Sequence, residues 1–123
     1  MRTLLIVDDE DGVRTLVRMT LDSARYEIIE AADGRRALEL AREHRPDLVL
    51  LDVMLPDMSG LEVCRQLKSQ PELGSTTVIM LTARAQSSDV GDAEEAGANG
   101  YFTKPFSPLA LTRKVEDVLG AVL

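Results

Sequence analysis

Several residue types that often direct function are scarce in this sequence. Tryptophan is absent and aromatic residues make up only 3% of the chain, so the core must be built mainly from aliphatic side chains. A single cysteine, Cys64, excludes an internal disulfide and any metal cluster of several cysteines. The apolar runs are far shorter than the roughly 20 residues that span a bilayer. The N-terminus also lacks the features of a signal peptide, so these patterns predict a cytoplasmic protein without membrane contact.

Positive charge is also in deficit. The chain has 14 Lys and Arg against 21 Asp and Glu, which gives a formal net charge of −7. An acidic surface repels the phosphate backbone of nucleic acids, so we expect no direct nucleic-acid binding by this domain. A surface that binds a metal ion or a protein suits this charge better. The length of 123 residues fits one domain with one core, residues 1–123.

Short apolar runs alternate along the chain with segments of helical periodicity. The runs are TLLIVDD, YEIIEAA, DLVLLD, TTVIMLT and GYFT. The first, third and fourth are continuously apolar, as expected for strands that are buried on both faces of a parallel sheet. The pattern predicts a doubly wound α/β fold of the flavodoxin-like type. It would have five parallel strands in the order 2-1-3-4-5 and helices on both faces.

Polar side chains stand at the carboxyl ends of four predicted strands. The first strand is followed by Asp8 and Asp9, the third by Asp52, the fourth by Thr82 and the fifth by Lys104. Ligands of such sheets bind beyond these ends, so the side chains should share one crevice. Three carboxylates there would repel one another and have raised pKa values, a conflict that Mg²⁺ relieves. A carboxylate nucleophile, an amine and a hydroxyl beside a metal ion suit phosphoryl transfer to Asp52.

Each of these residues also has a plainer interpretation when it is taken alone. An acidic pair can cap the next helix, and a single Asp, Thr or Lys at a strand end is common. Two other functional classes also compete. A Mg²⁺-dependent phosphatase with an aspartyl nucleophile would need an acid two residues after Asp52, where Met54 stands. A flavin-binding electron carrier would need a Ser-, Thr- or Gly-rich loop after the first strand, where this chain is acidic.

Four segments together resemble the CheY-like receiver domain of two-component response regulators. They are IVDDE, LLDVMLPDMSGLE, VIMLTA and YFTKPF, and the resemblance covers about residues 3–119. It implies that Asp52 is the phosphoacceptor. It also implies that Asp9 binds Mg²⁺ directly, that Asp8 does so through water, and that the backbone carbonyl of Met54 is a further ligand.

The same resemblance assigns the groups that respond to phosphorylation. The hydroxyl of Thr82 and the amine of Lys104 would bind the phosphoryl group, and the Lys104–Pro105 peptide bond would be cis. Tyr101 would be the switch aromatic that turns inward when Thr82 moves. The surface that changes would comprise the fourth predicted helix (within 83–97), the fifth strand and the fifth helix.

The resemblance also implies partners. A sensor histidine kinase or a histidine phosphotransfer protein would donate the phosphoryl group, and an output domain or target protein would receive the signal. The domain would catalyse only its own phosphorylation and slow dephosphorylation. Asn99 and Gly100 stand where the subgroup of transcription factors with winged-helix outputs tends to carry two acids, so Lys114 would lack those partners. We therefore expect a monomer or a weak phosphorylation-dependent dimer.

Overall fold

One parallel sheet organises the protein. The computed structural model describes residues 2–21, 26–82, 91, 92, 94–104 and 106–119. The strand order is β2-β1-β3-β4-β5, and every neighbouring pair is parallel, which confirms the predicted topology. The strands are β1 (Arg2–Val7), β2 (Tyr26–Ala31), β3 (Leu48–Asp52), β4 (Thr77–Thr82) and β5 (Gly100–Thr103).

Helices follow the strands, as the alternating pattern predicts. They are α1 (Asp11–Leu21), α2 (Gly34–His44), α3 (Gly60–Ser69), a 3₁₀ turn (Pro71–Leu73) and a C-terminal helix (Pro108–Leu119). Residues 91, 92, 94 and 95 are also helical. Residues 83–90 and 93 of the fourth predicted helix lie outside the described residues, as does Pro105 with its predicted cis bond. In the part of the chain that is described, no helix is long and apolar enough to cross a membrane.

The central strand β3 is buried along its whole length, with apolar clusters on both faces of the sheet. Val49 and Leu51 belong to a cluster that includes side chains of α2 and α3. Leu48 and Leu50 belong to the opposite cluster, which includes side chains of α1 and the C-terminal helix. Because successive side chains of a strand point to opposite faces, a continuously apolar run fills both layers.

Local capping determines where the helices begin and end. Asp33 accepts a hydrogen bond from the amide of Arg36 (2.8 Å) and caps α2. Ser59 caps α3 by accepting from the amide of Leu61 (3.1 Å). Gly97 adopts a φ of 91°, the left-handed backbone that favours glycine and commonly ends a helix.

The loop after β3 is anchored to the amino end of α2 by Asp57. Its carboxylate accepts hydrogen bonds from the amides of Gly34 (2.8 Å) and Arg35 (2.9 Å). These bonds, chiefly the one from Gly34, lower the pKa of Asp57 below its usual range. One exposed carboxylate therefore connects the loop that follows Asp52 to a helix more than 20 residues earlier in the chain.

The same loop closes where α3 begins, at Gly60. The amide of Gly60 donates to the carbonyl of Val53 (2.8 Å). A Cβ atom on Gly60 would lie only 1.9 Å from the carbonyl oxygen of Asp52. The backbone of α3 therefore lies directly against the backbone of Asp52, and only glycine fits there.

We expect Gly60→Ala to lower the free energy of unfolding by about 3 kcal/mol, because backbone atoms must shift to admit the methyl group. Gly12→Ala is the matched control, since a Cβ atom on Gly12 in α1 meets nothing within 4 Å. That variant should be unchanged or more stable by up to about 1 kcal/mol. Urea denaturation measures both variants, and equal stability would contradict the close approach.

We expect Asp57→Ala to lower the free energy of unfolding by about 1 kcal/mol at neutral pH, through loss of its two hydrogen bonds to the amino end of α2. The pKa of Asp57 is lowered in the folded chain, so the stability from its charge is present above about pH 4. It is lost as the pH falls through the folded pKa. Urea denaturation of both proteins should show their difference shrinking below about pH 4. A difference that persists unchanged in acid would contradict the role of the charge.

Candidate functional site

Two neighbouring strands of the sheet carry Asp8 and Asp52 into one crevice. Val7 pairs with Leu51 in the register of β1 and β3, so the residues that follow them emerge side by side. Asp8 is fully buried, and Asp52 is 5% exposed. The carboxylate of Asp8 accepts a hydrogen bond from the amide of Glu10 (2.9 Å), and that of Asp52 accepts one from the amide of Met54 (3.2 Å). The predicted convergence of the two acids is therefore present.

The ammonium group of Lys104 lies between these carboxylates. Its Nζ is 2.7 Å from Oδ2 of Asp8 and 3.4 Å from Oδ2 of Asp52. Lys104 therefore lies closer to Asp8 than to Asp52. The backbone of Lys104 is also held, because its amide donates to the carbonyl of Thr82 at 2.7 Å. This bond connects the end of β4 to the residue that follows β5.

The electrostatics of the crevice raise the pKa values of both Asp52 and Lys104. Burial raises the pKa of Asp52, and the neighbouring charge of Asp8 raises it further, against the opposing effect of Lys104. Burial by itself lowers the pKa of Lys104. The hydrogen bond to Asp8 and the charge of Asp52 outweigh that effect, so the pKa of Lys104 is raised overall. The ammonium therefore stays charged at neutral pH.

A third acid joins the acidic pair. Carboxylate oxygens of Asp8, Asp9 and Glu10 lie within 4.8 Å of one another, and Asp9 and Glu10 are exposed to solvent. The buried Oδ2 of Asp8 forms an ion pair with Lys104. Within the described residues, this oxygen accepts no hydrogen bond of good geometry from any other group. Oxygen donors that remain open to solvent suit a partly hydrated Mg²⁺ ion. The residues present therefore fit the metal that the sequence predicts.

Glu10 is the site residue that the sequence interpretation missed. Its carboxylate lies 3.7 Å from Nζ of Lys104 in addition to its place beside Asp8 and Asp9. The signal was available as the third acid of the run DDE, directly after the predicted pair. Strand periodicity does not reveal it, because its position depends on the turn that leads into α1.

The remaining predicted site residues differ in how far they are exposed to solvent. Thr82 ends β4, is 8% exposed and pairs with Thr103 of β5. Tyr101 lies on β5 opposite Met80 and is 38% exposed. Met54 is 77% exposed, and its backbone amide donates to the carboxylate of Asp52.

Asn99 and Gly100 shape the start of β5. Asn99 forms two hydrogen bonds with the backbone of Val78. Its backbone amide donates to the carbonyl of Val78, and its side-chain oxygen accepts from the amide of Val78, both at 2.8 Å. A Cβ atom on Gly100 would lie 3.9 Å from Nζ of Lys114. Over the described ranges Lys114 has no ion pair.

Comparisons with protein families, with curated proteins and with solved structures all point to the same family. The response regulator receiver domain family matches residues 4–116. The chain is 42% identical over 118 residues to the alkaline phosphatase synthesis transcriptional regulatory protein PhoP of Bacillus subtilis, covering 96% of this chain and 48% of PhoP. The chain thus spans about half the length of the curated relatives it matches.

Solved structures agree with the sequence comparison. Chemotaxis protein CheY4 of Vibrio cholerae superposes with a TM-score of 0.91 at 36% identity, covering 96% of this chain and 98% of that one. The BeF₃-activated receiver domain of DrrB from Thermotoga maritima gives a TM-score of 0.83 at 35% identity, covering 98% and 99%. The chain belongs to the receiver domains of response regulators, the signalling domains of two-component phosphorelays.

Proposed function

We propose that the domain accepts a phosphoryl group on Asp52 in a Mg²⁺-dependent reaction. The donor would be the phosphohistidine of a sensor histidine kinase or a histidine phosphotransfer protein. The observation that carries the proposal is the ammonium of Lys104 between two buried carboxylates, 2.7 Å from Asp8 and 3.4 Å from Asp52. Burial of two acids beside one amine is costly unless the site binds something that uses those charges.

Asp52 suits the role of nucleophile better than Asp8. Asp8 is fully buried and has the shorter contact with Lys104, whereas Asp52 keeps some exposure and a longer contact. An oxygen of Asp52 would attack the phosphorus atom as the P–N bond of phosphohistidine breaks. The imidazole nitrogen takes the electron pair of that bond, and an acyl phosphate forms.

Asp8, Asp9 and the backbone carbonyl of Met54 would hold Mg²⁺ together with Asp52, and Glu10 is placed to join them. When bound, Mg²⁺ would neutralise the carboxylates and the charge on the phosphoryl oxygens. Lys104 would move its contact from Asp8 and Asp52 to a phosphoryl oxygen, and the hydroxyl of Thr82 would bind another. The raised pKa of Lys104 supports this role, since the amine carries its charge at neutral pH.

Phosphorylation would then shift an existing equilibrium of the surface formed by the fourth predicted helix, β5 and the C-terminal helix. Tyr101 is 38% exposed, so its ring can lose exposure by turning inward. The changed surface would bind an output domain or a target protein. Because its relatives include a transcriptional regulator, control of transcription through another part of a longer chain is the output we favour.

The domain would work in the cytoplasm as a monomer or a weak phosphorylation-dependent dimer, over residues 1–123 as one unit. It would turn over no external substrate. The alternative of an aspartyl phosphatase gains no support, because the position two residues after Asp52 is the exposed side chain of Met54.

We expect the protein to gain one phosphoryl group when it is incubated with acetyl phosphate and Mg²⁺, as measured by intact mass. Asp52→Asn should gain none, because the nucleophilic oxygen is lost. Chelation of Mg²⁺ should also prevent the gain. The matched control is Asp47→Asn, which removes an acid at the amino end of the same strand and should leave phosphorylation unchanged.

Phosphorylation of Asp52→Asn to the level of the unsubstituted protein would refute the assignment of the acceptor. Absence of any mass gain in the unsubstituted protein, with the donor shown to be active on another receiver domain, would refute the proposed function.

We expect beryllofluoride with Mg²⁺, a mimic of the phosphoryl group, to shift the amide resonances of Thr82, Tyr101 and Lys104. Thr82→Ala should still be phosphorylated but should lose the response of Tyr101, because the hydroxyl that draws the ring inward is gone. Thr77→Ala, at the other end of β4, is the control and should keep the response. An unchanged Tyr101 resonance in the unsubstituted protein would rule out its role as the switch.

A further inference from the structure

Arg14 connects the loop of Asp8 to an acid on the edge strand β2. Its Nη1 donates to the backbone carbonyl of Asp8 at 2.6 Å, and its Nε donates to the carboxylate of Glu30 at 3.2 Å. Its Nη2 pairs with the carboxylate of Asp11 at the start of α1. The side chain is only 15% exposed, so its position is restricted. A mostly buried guanidinium with a partner for each of its three nitrogens is well suited to hold a backbone group in place.

Arg18, one helical turn later, shares part of this network. Its Nε donates to the other carboxylate oxygen of Glu30 at 2.7 Å, and its Nη2 donates to the carbonyl of Ile28 at 3.0 Å. It is 43% exposed and has no contact with Asp8 among the hydrogen bonds and ion pairs of the described residues. The two arginines therefore differ in one respect that matters here, the contact with the carbonyl of Asp8.

That contact determines the direction of the chain as it enters the acidic loop. The amide of Asp8 donates to the carbonyl of Ala31 at 3.1 Å, so β2 holds the peptide group before Asp8. Arg14 holds the peptide group after it. With both peptide groups restrained, the backbone that leads to Asp9 and Glu10 starts in a fixed direction. The spacing of the three carboxylates depends on that direction.

A positive charge beside a cation site would normally weaken cation binding. Here the two guanidinium groups of Arg14 and Arg18 are matched by two carboxylates, those of Glu30 and Asp11. The network is therefore neutral as a whole. Arg14 can donate its hydrogen bond without adding net repulsion toward a divalent cation.

We propose that Arg14 is a positioning residue for divalent cation binding, acting through the backbone carbonyl of Asp8. This inference rests on the proposed Mg²⁺ site at Asp8 and Asp9. Arg14 itself touches neither the cation nor the phosphoryl group. Its effect is to preset the acidic loop, so that less conformational freedom is lost when the cation binds.

The test compares Arg14→Met with Arg18→Met, which remove the guanidinium groups and keep most of the aliphatic stems. Isothermal titration with Mg²⁺ gives the dissociation constant of each variant, at a temperature where circular dichroism shows both to be folded. Arg14→Met should bind Mg²⁺ about tenfold more weakly. Arg18→Met should bind it as the unsubstituted protein does. Urea denaturation without Mg²⁺ records any loss of stability separately, and that loss does not by itself change the affinity of folded protein.

A third variant, Asp9→Ala, separates failure of this inference from failure of the metal site. If Asp9→Ala loses affinity while Arg14→Met keeps it, the role of Arg14 is refuted and the metal site stands. If Asp9→Ala binds Mg²⁺ as tightly as the unsubstituted protein, the metal site is wrong and the inference falls with it. Equal weakening in Arg14→Met and Arg18→Met would also refute it, because the effect would then come from Glu30.

Discussion

The ammonium of Lys104 allows two carboxylates to be buried at neighbouring strand ends, and the arrangement of the crevice depends on it. Asp8 and Asp52 are 0% and 5% exposed, and Nζ of Lys104 lies within 3.4 Å of an oxygen of each. Buried ion pairs of this kind add little net stability, because desolvation offsets the attraction. Hydrophobic residues at the three positions would satisfy the fold better. The charges therefore indicate function, and they lie where local rules of burial are broken.

The sheet and its strand order follow from the sequence because burial of a parallel strand requires an apolar side chain at every position. β3 shows this in full, since Leu48 to Leu51 fill both apolar layers and Asp52 ends the run. Convergence of the site follows from the same rule, because the carboxyl ends of parallel strands lie at one edge. Residues at the ends of four different strands could therefore be placed together without any knowledge of the loops.

Distances within the site could not be predicted, because they depend on loops whose conformation is set by distant contacts. Lys104 lies closer to Asp8 than to Asp52, and Glu10 joins the acids through the turn before α1. Asp57 looks like an ordinary turn residue in the sequence, yet it accepts a hydrogen bond from the amide of Gly34 at the start of α2, 23 positions away. These contacts follow no helical or strand periodicity, so they cannot be predicted from the pattern of the sequence.

The contacts around the crevice are distributed unevenly, and this suggests which side moves. The side of β1 and β3 is restrained by Arg14 on the carbonyl of Asp8, and by Gly60 against the backbone of Asp52. The other side ends in β5, a four-residue edge strand without a fully buried residue. Displacement of an edge strand that buries little costs less than displacement of the central pair. If Asp52 is phosphorylated as proposed, we therefore expect the change of charge to displace β5, through Thr82 and Lys104, more readily than the acidic loop.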